Sequence, residues 1–138
     1  MTYAFEVVPR YSEVDQQGVV FFGHYLTWFD EAFTGYLAHL GTPYPTLIGA
    51  GCDVQVVHAE LDYAGSVYWG DDVRVAVTCE KVGTTSITSR LDVLRSPDAE
   101  APAVTGRLVH VCVDATALTK VPIPDALAVA LRGDASLR

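Results

Sequence analysis

The sequence predicts a single α+β domain over residues 1–138, with one long helix packed against an antiparallel sheet of five or more strands. Three observations predict it. The 138 residues, half of them apolar, suit one hydrophobic core. A single segment, residues 24–40, carries a broad apolar stripe of helical period. Four strand-like segments then follow one another with no helix between them, which separates α+β from β-α-β winding.

The elements follow in order. Tyr3, Phe5 and Val7 alternate with Ala4, Glu6 and Val8, a strand pattern ended by Pro9. Residues 9–23 lack a helical period and include the turn-prone Gln16-Gln17-Gly18. Tyr25, Trp28, Phe29, Ala32, Phe33, Tyr36, Leu37 and Leu40 then recur at steps of three and four, and Gly41 stops the helix. Thr27, Asp30, Glu31 and Thr34 mark its polar side. Gly35 inside the helix costs ~1 kcal/mol and points to close approach by a neighbouring backbone. Residues 54–63, 73–82, 84–95 and 103–114 read as strands. In the first of these, Val57, Ala59, Leu61 and Tyr63 share a face opposite His58, Glu60 and Asp62. Residues 115–138 hold Pro122, Pro124, a short amphipathic stretch (125–132) and a polar tail.

Composition excludes several functions. Three well-separated cysteines, Cys52, Cys79 and Cys112, make neither a disulfide framework nor a Cys-x-x-Cys metal site. His58, Glu60 and Asp62 share a strand face that reads as solvated or interfacial rather than metal-binding, so no metal is expected. No apolar run reaches the ~18 residues of a membrane span, and the N-terminus does not read as a signal peptide. A cytoplasmic protein is the expectation. The net charge of −8 argues against nucleic-acid binding. Residues 1–72 hold ten acids and only Arg10 as a base. Cations for an anionic ligand therefore come from the second half, from Arg74, Lys81, Arg90, Arg95, Arg107 or Lys120.

The candidate chemistry lies between the first strand and the helix. Asp15 sits in a turn closed by Gly18, and the apolar run Val19–Phe22 leads into the helix. Helix N-termini expose unpaired N–H groups with partial positive charge, suited to a carbonyl oxygen or oxyanion. A carboxylate just upstream suits a general base or a nucleophile. A turn-forming or helix-anchoring acid has the same spacing. No Gly-x-Ser-x-Gly elbow or Gly-rich phosphate loop is present.

The run from Asp15 through Gly18, Val19, Val20, Phe21 and Phe22 to Tyr25 resembles the opening signature of the hotdog-fold thioesterases, in their 4-hydroxybenzoyl-CoA thioesterase-like and short-chain acyl-CoA branches. The segments 61–75 and 120–127 resemble its Gly-Asp strand connection and its closing basic-Pro-x-Pro element. The resemblance implies a long helix wrapped by an antiparallel sheet, in subunits that join sheets edge to edge as homodimers or homotetramers. It implies hydrolysis of an acyl or aryl thioester of CoA or of an acyl carrier protein, with no cofactor beyond that substrate. Asp15 would be the base or nucleophile and the Phe22 backbone N–H the oxyanion donor. Gly18, Val19, His24, Tyr25 and Trp28 would bind substrate, with Glu31 behind them and Lys81, Arg90 and Lys120 near phosphate. Gln16 and Gln17 replace the small residues or proline often found after the aspartate, and the turn at Val82-Gly83-Thr84 is poor in cations. Two other readings are a non-catalytic acyl-binding or oligomerising module, and a dehydratase that pairs His24 with Glu31.

Overall fold

A computed structural model describes residues 3–136. The elements run β1 (Tyr3–Val7), a 3-10 turn (Tyr11–Glu13), α1 (His24–His39), α2 (Tyr44–Gly49), β2 (Cys52–Tyr63), β3 (Val73–Val82), β4 (Ser86–Leu94), β5 (Val104–Asp114) and α3 (Asp125–Ser136). The five strands form one sheet in the order β1-β3-β4-β5-β2, every neighbouring pair antiparallel. Period-2 alternation builds its inner face. Val73, Val75, Val77 and Cys79 of β3 are buried beside Ile87, Leu91 and Val93 of β4 and Val104, Leu108 and Cys112 of β5. Helix α1 lies against that face through Trp28, Phe29, Phe33, Tyr36 and Leu37. Burial of each such side chain contributes roughly 1.5–3 kcal/mol, so α1 is held by the sheet rather than by its own propensity.

Three features differ from the sequence reading. The first is α2, which the proline-rich run hides; it exists to seat Leu47 in the core. The second is β2, whose expected apolar face is not buried. It is an edge strand, its register shifts between Val56 and His58, and Val56 and Val57 are 50% and 60% exposed. The third is Gly35, which makes room for the Tyr3 side chain and not for a backbone. The C-terminal stretch does form a helix, α3, whose Leu127, Ala128 and Leu131 are buried.

Gly106 of β5 marks the tightest packing. A Cβ there would overlap the Phe29 ring and lie 3.0 Å from the Glu60 carbonyl oxygen. Both neighbours are fixed, one by the core and one by the β2–β5 pairing. Gly106→Ala is expected to cost about 1–3 kcal/mol in a urea titration. Gly35→Ala should cost less, since the Tyr3 hydroxyl can swing away and alanine regains ~1 kcal/mol of helix propensity.

Candidate active site

The loop between β1 and α1 is pinned by a buried acid. Glu13 is 4% exposed. Its carboxylate accepts the Trp28 indole N–H at 2.8 Å and the Arg10 backbone N–H at 2.8 Å, with the Arg10 guanidinium at 3.4 Å. Burial pushes the Glu13 carboxyl up, but the hydrogen bonds from Arg10 and Trp28 outweigh it, and the group lies below the ordinary range. The Glu13 carbonyl accepts the Phe21 N–H at 2.9 Å. One residue thus ties the loop's entry to the mouth of α1.

Asp15 follows two residues later. Its N–H donates to the Val19 carbonyl at 2.8 Å, and its own carbonyl accepts the Gly18 N–H at 3.0 Å. Gly18 has φ +77°, a left-handed turn that a side chain would strain. The turn is fastened on its far side as well. Val20 N–H donates to the Val67 carbonyl at 2.8 Å, and Trp69 N–H to the Gly18 carbonyl at 3.2 Å. One carboxylate oxygen of Asp15 accepts the Gln17 N–H at 2.8 Å. The side chain is exposed on the wall of a cleft of about 350 Å³, with Tyr11, Val14, Gln16, Gly18 and Trp69.

The helix mouth is left open. Gly23 caps α1 and no side chain bonds its first N–H groups. The exposed Phe21 and Phe22 rings meet 4.5 Å apart beside it, and the Tyr63 hydroxyl donates to the Phe22 carbonyl at 3.1 Å. The His24 N–H turns back to the Phe21 carbonyl at 3.0 Å, and the N–H groups without a side-chain cap and the helix dipole make this a place for a carbonyl oxygen.

The other expected residues fall into three groups. Val19 is half-buried and bridges to Tyr68, and half-buried His24 sets its ring edge against Phe21 at 5.7 Å. Tyr25 and Trp28 are 2% and 1% exposed, their rings edge-on at 5.4 Å. The Tyr25 hydroxyl accepts the Val67 N–H at 3.4 Å. These two lie in the core beneath the mouth. Glu31 is exposed beside a separate recess with Arg10, Glu13 and Trp28. It lies seven residues, about 10 Å of helix, from His24.

The expected phosphate-binding cations lie elsewhere too. Lys81 is the last residue but one of β3, about 26 Å along the strand from Val73, Lys120 bridges to Val113 at the end of β5, and Arg90 is paired with Asp92 at 3.2 Å. None lines the Asp15 cleft. Arg95 does stand on that side, its guanidinium 4.7 Å over the ring of Tyr68, which adjoins Trp69, and its Nε 3.3 Å from Asp71. Sequence reasoning missed Glu13, Tyr11 and Trp69; the Arg10-x-x-Glu13 capping spacing was the available signal for the first.

Glu13 gives the site an acid limit. Its folded carboxyl lies below its unfolded value, so its contribution is present above the unfolded value and lost as pH falls through the folded one. Glu13→Gln is therefore expected to be less stable than wild type at neutral pH. The gap should close as the pH falls below the ordinary carboxylate range, read from urea midpoints at a series of pH values. A gap constant with pH would contradict the assignment.

The chain is similar to known proteins in sequence and in fold. The sequence profile of the Thioesterase superfamily matches residues 17–102. The chain is 28% identical over 127 residues to the 1,4-dihydroxy-2-naphthoyl-CoA hydrolase of Synechococcus elongatus, covering 91% of each protein. Its fold superposes on the DHNA-CoA thioesterase of Staphylococcus aureus with a TM-score of 0.80 and 25% identity, covering 88% of this chain and 80% of that one. The 1,4-dihydroxy-2-naphthoyl-CoA thioesterase of Synechocystis shares the fold at a TM-score of 0.83 and 22% identity, covering 96% of each. The wrapped-helix architecture and the profile, which spans well over half of the chain, agree: this chain belongs to the thioesterase superfamily.

Proposed function

We propose that the protein hydrolyses acyl-CoA thioesters to free acid and thiol, with aryl groups preferred, with Asp15 and the mouth of α1 as its working groups. The observation that carries this reading is the pairing of an accessible, backbone-anchored carboxylate with an uncapped helix N-terminus on one short loop. The N–H of Phe22 polarises the thioester carbonyl and receives its developing negative charge. Asp15 either attacks the carbonyl carbon, forming an anhydride that water then hydrolyses to the free acid, or takes a proton from the attacking water. The thiolate then leaves without a strong acid. The aryl preference is supported by the 1,4-dihydroxy-2-naphthoyl-CoA hydrolase and DHNA-CoA thioesterase relatives. A carrier-protein donor is the second form of substrate, favoured by the lack of free cations at the Val82–Thr84 turn.

The working unit in this reading is a homodimer joined through β2. The outer edge of β2 has no partner strand among the described residues, and its exposed Val56 and Val57 offer an apolar seam.

Free-thiol release from a panel of acyl- and aryl-CoA donors tests the chemistry, with matching carrier-protein donors beside them. Asp15→Asn is expected to lower the rate by about 100-fold or more, with folding unchanged because the residue is exposed. Equal rates in the two proteins would remove Asp15 from the mechanism. Sedimentation equilibrium tests the assembly: a particle of at least twice the 14.9 kDa chain mass is expected, and a monomer would contradict it.

A further inference from the structure

The peptide groups that lead into α1 are tied down one by one, and a side chain from β2 makes one of the ties. The Phe21 N–H donates to the Glu13 carbonyl at 2.9 Å, and the Phe21 carbonyl accepts the His24 N–H at 3.0 Å. The Phe22 carbonyl accepts the Tyr63 hydroxyl at 3.1 Å, across 41 residues of chain. Of the polar backbone groups of Phe21 and Phe22, only the Phe22 N–H is without a partner among the described residues. That N–H is the donor which the hydrolase reading gives to the thioester oxygen.

Tyr63 is itself held in place. It is the last residue of β2 and pairs with Val104 of β5. The chain just beyond it is fixed as well, since the N–H groups of Ala64 and Gly65 both donate to the Ala103 carbonyl at 2.9 Å. Its ring stands edge-on to Tyr25, with centroids 5.8 Å apart and planes at 61°. Tyr25 is buried, and its hydroxyl accepts the Val67 N–H. The phenol therefore leans on the core. The Phe22 ring is 63% exposed, so burial of that ring does little to fix its own backbone.

We propose that Tyr63 is a positioning residue for the hydrolysis: its hydroxyl clamps the Phe22 carbonyl and so keeps the Phe22 N–H aimed at the thioester oxygen. The proposal rests on the hydrolase reading above and adds the group that steadies its oxyanion donor. Hydrogen bonds weaken steeply as the donor turns off line, and a donor that must reorient during the reaction loses much of its value. The oxygen carries more charge in the transition state than in the bound thioester. A loosened N–H therefore costs the transition state more than it costs substrate binding. Phenylalanine at position 63 keeps the ring against Tyr25 and removes only the O–H. The Phe22 carbonyl it releases belongs to an exposed residue and can turn to water, so the fold loses little.

Two measurements test this. The first compares Tyr63→Phe with wild type on the best aryl-CoA donor. The kcat is expected to fall about five- to tenfold, with KM changed less than about twofold. An unchanged kcat, or a loss carried by KM alone, would overturn the proposal. The second separates aim from mere stability. Carbonyl-labelled aryl-CoA is bound to Asp15→Asn and to the double variant Asp15→Asn, Tyr63→Phe, and the carbonyl stretch is read by infrared difference spectroscopy. The double variant is expected to leave the stretch closer to its frequency in water. The same frequency in both proteins would mean that Tyr63 only braces the fold, and would overturn the proposal. Hydrolysis of no donor by wild type would sink the hydrolase reading and this role together, whereas hydrolysis that Tyr63→Phe leaves intact would sink only the role of Tyr63.

Discussion

A single buried carboxylate fixes how the loop before α1 meets the helix. Glu13 gives up water to accept the Trp28 indole and the Arg10 amide, and its carbonyl holds the Phe21 N–H. An unpaired carboxylate in that place would be costly. The hydrogen bonds make it tolerable and at the same time leave the loop only one way to sit. Asp15 and the open N-terminus of α1 are both within a few residues of that clamp. Their relation is therefore set by the core and not by the exposed loop itself, which is what a preorganised site needs.

The rest of the fold serves the same helix. Because α1 is apolar around most of its circumference, it needs a sheet curved over it, and β3, β4 and β5 supply that surface. Gly106 lets Phe29 sit down on the sheet, and α2 and α3 close the flanks with Leu47, Leu127 and Leu131. A groove stays open between α1 and edge strand β2. Its cavity holds the Asp30 and Asp53 carboxylates and the His110 imidazole in place of the packing found elsewhere.

Much of this was legible in the sequence. The helix from His24, the strands at 73–82 and 103–114, and the Asp15–Gly18 turn all carry local signals: period, β-branched alternation and turn chemistry. What was not legible depends on tertiary partners. Nothing local distinguishes Glu13, buried, from Glu31, exposed; the difference is the indole fifteen residues away. Tyr25 and Trp28 read chiefly as core with a pocket wall as the other reading, and their burial depends on the sheet and on the Val67 loop that packs against them. Alternation in β2 suggested a buried face, but a bulge and an edge position left it open. The burial of His110 follows from which face of β5 meets Phe33, and no spacing in the chain encodes that contact.

The central claim is that the amide-rich start of α1 polarises the thioester carbonyl before any bond to it changes. Infrared difference spectroscopy reads this directly, with carbonyl-labelled aryl-CoA bound to the inactive Asp15→Asn protein. The account requires the bound carbonyl stretch to fall clearly below its frequency in water. A stretch at or above the aqueous value would mean that the helix mouth does not hold the reacting oxygen, and would contradict the account.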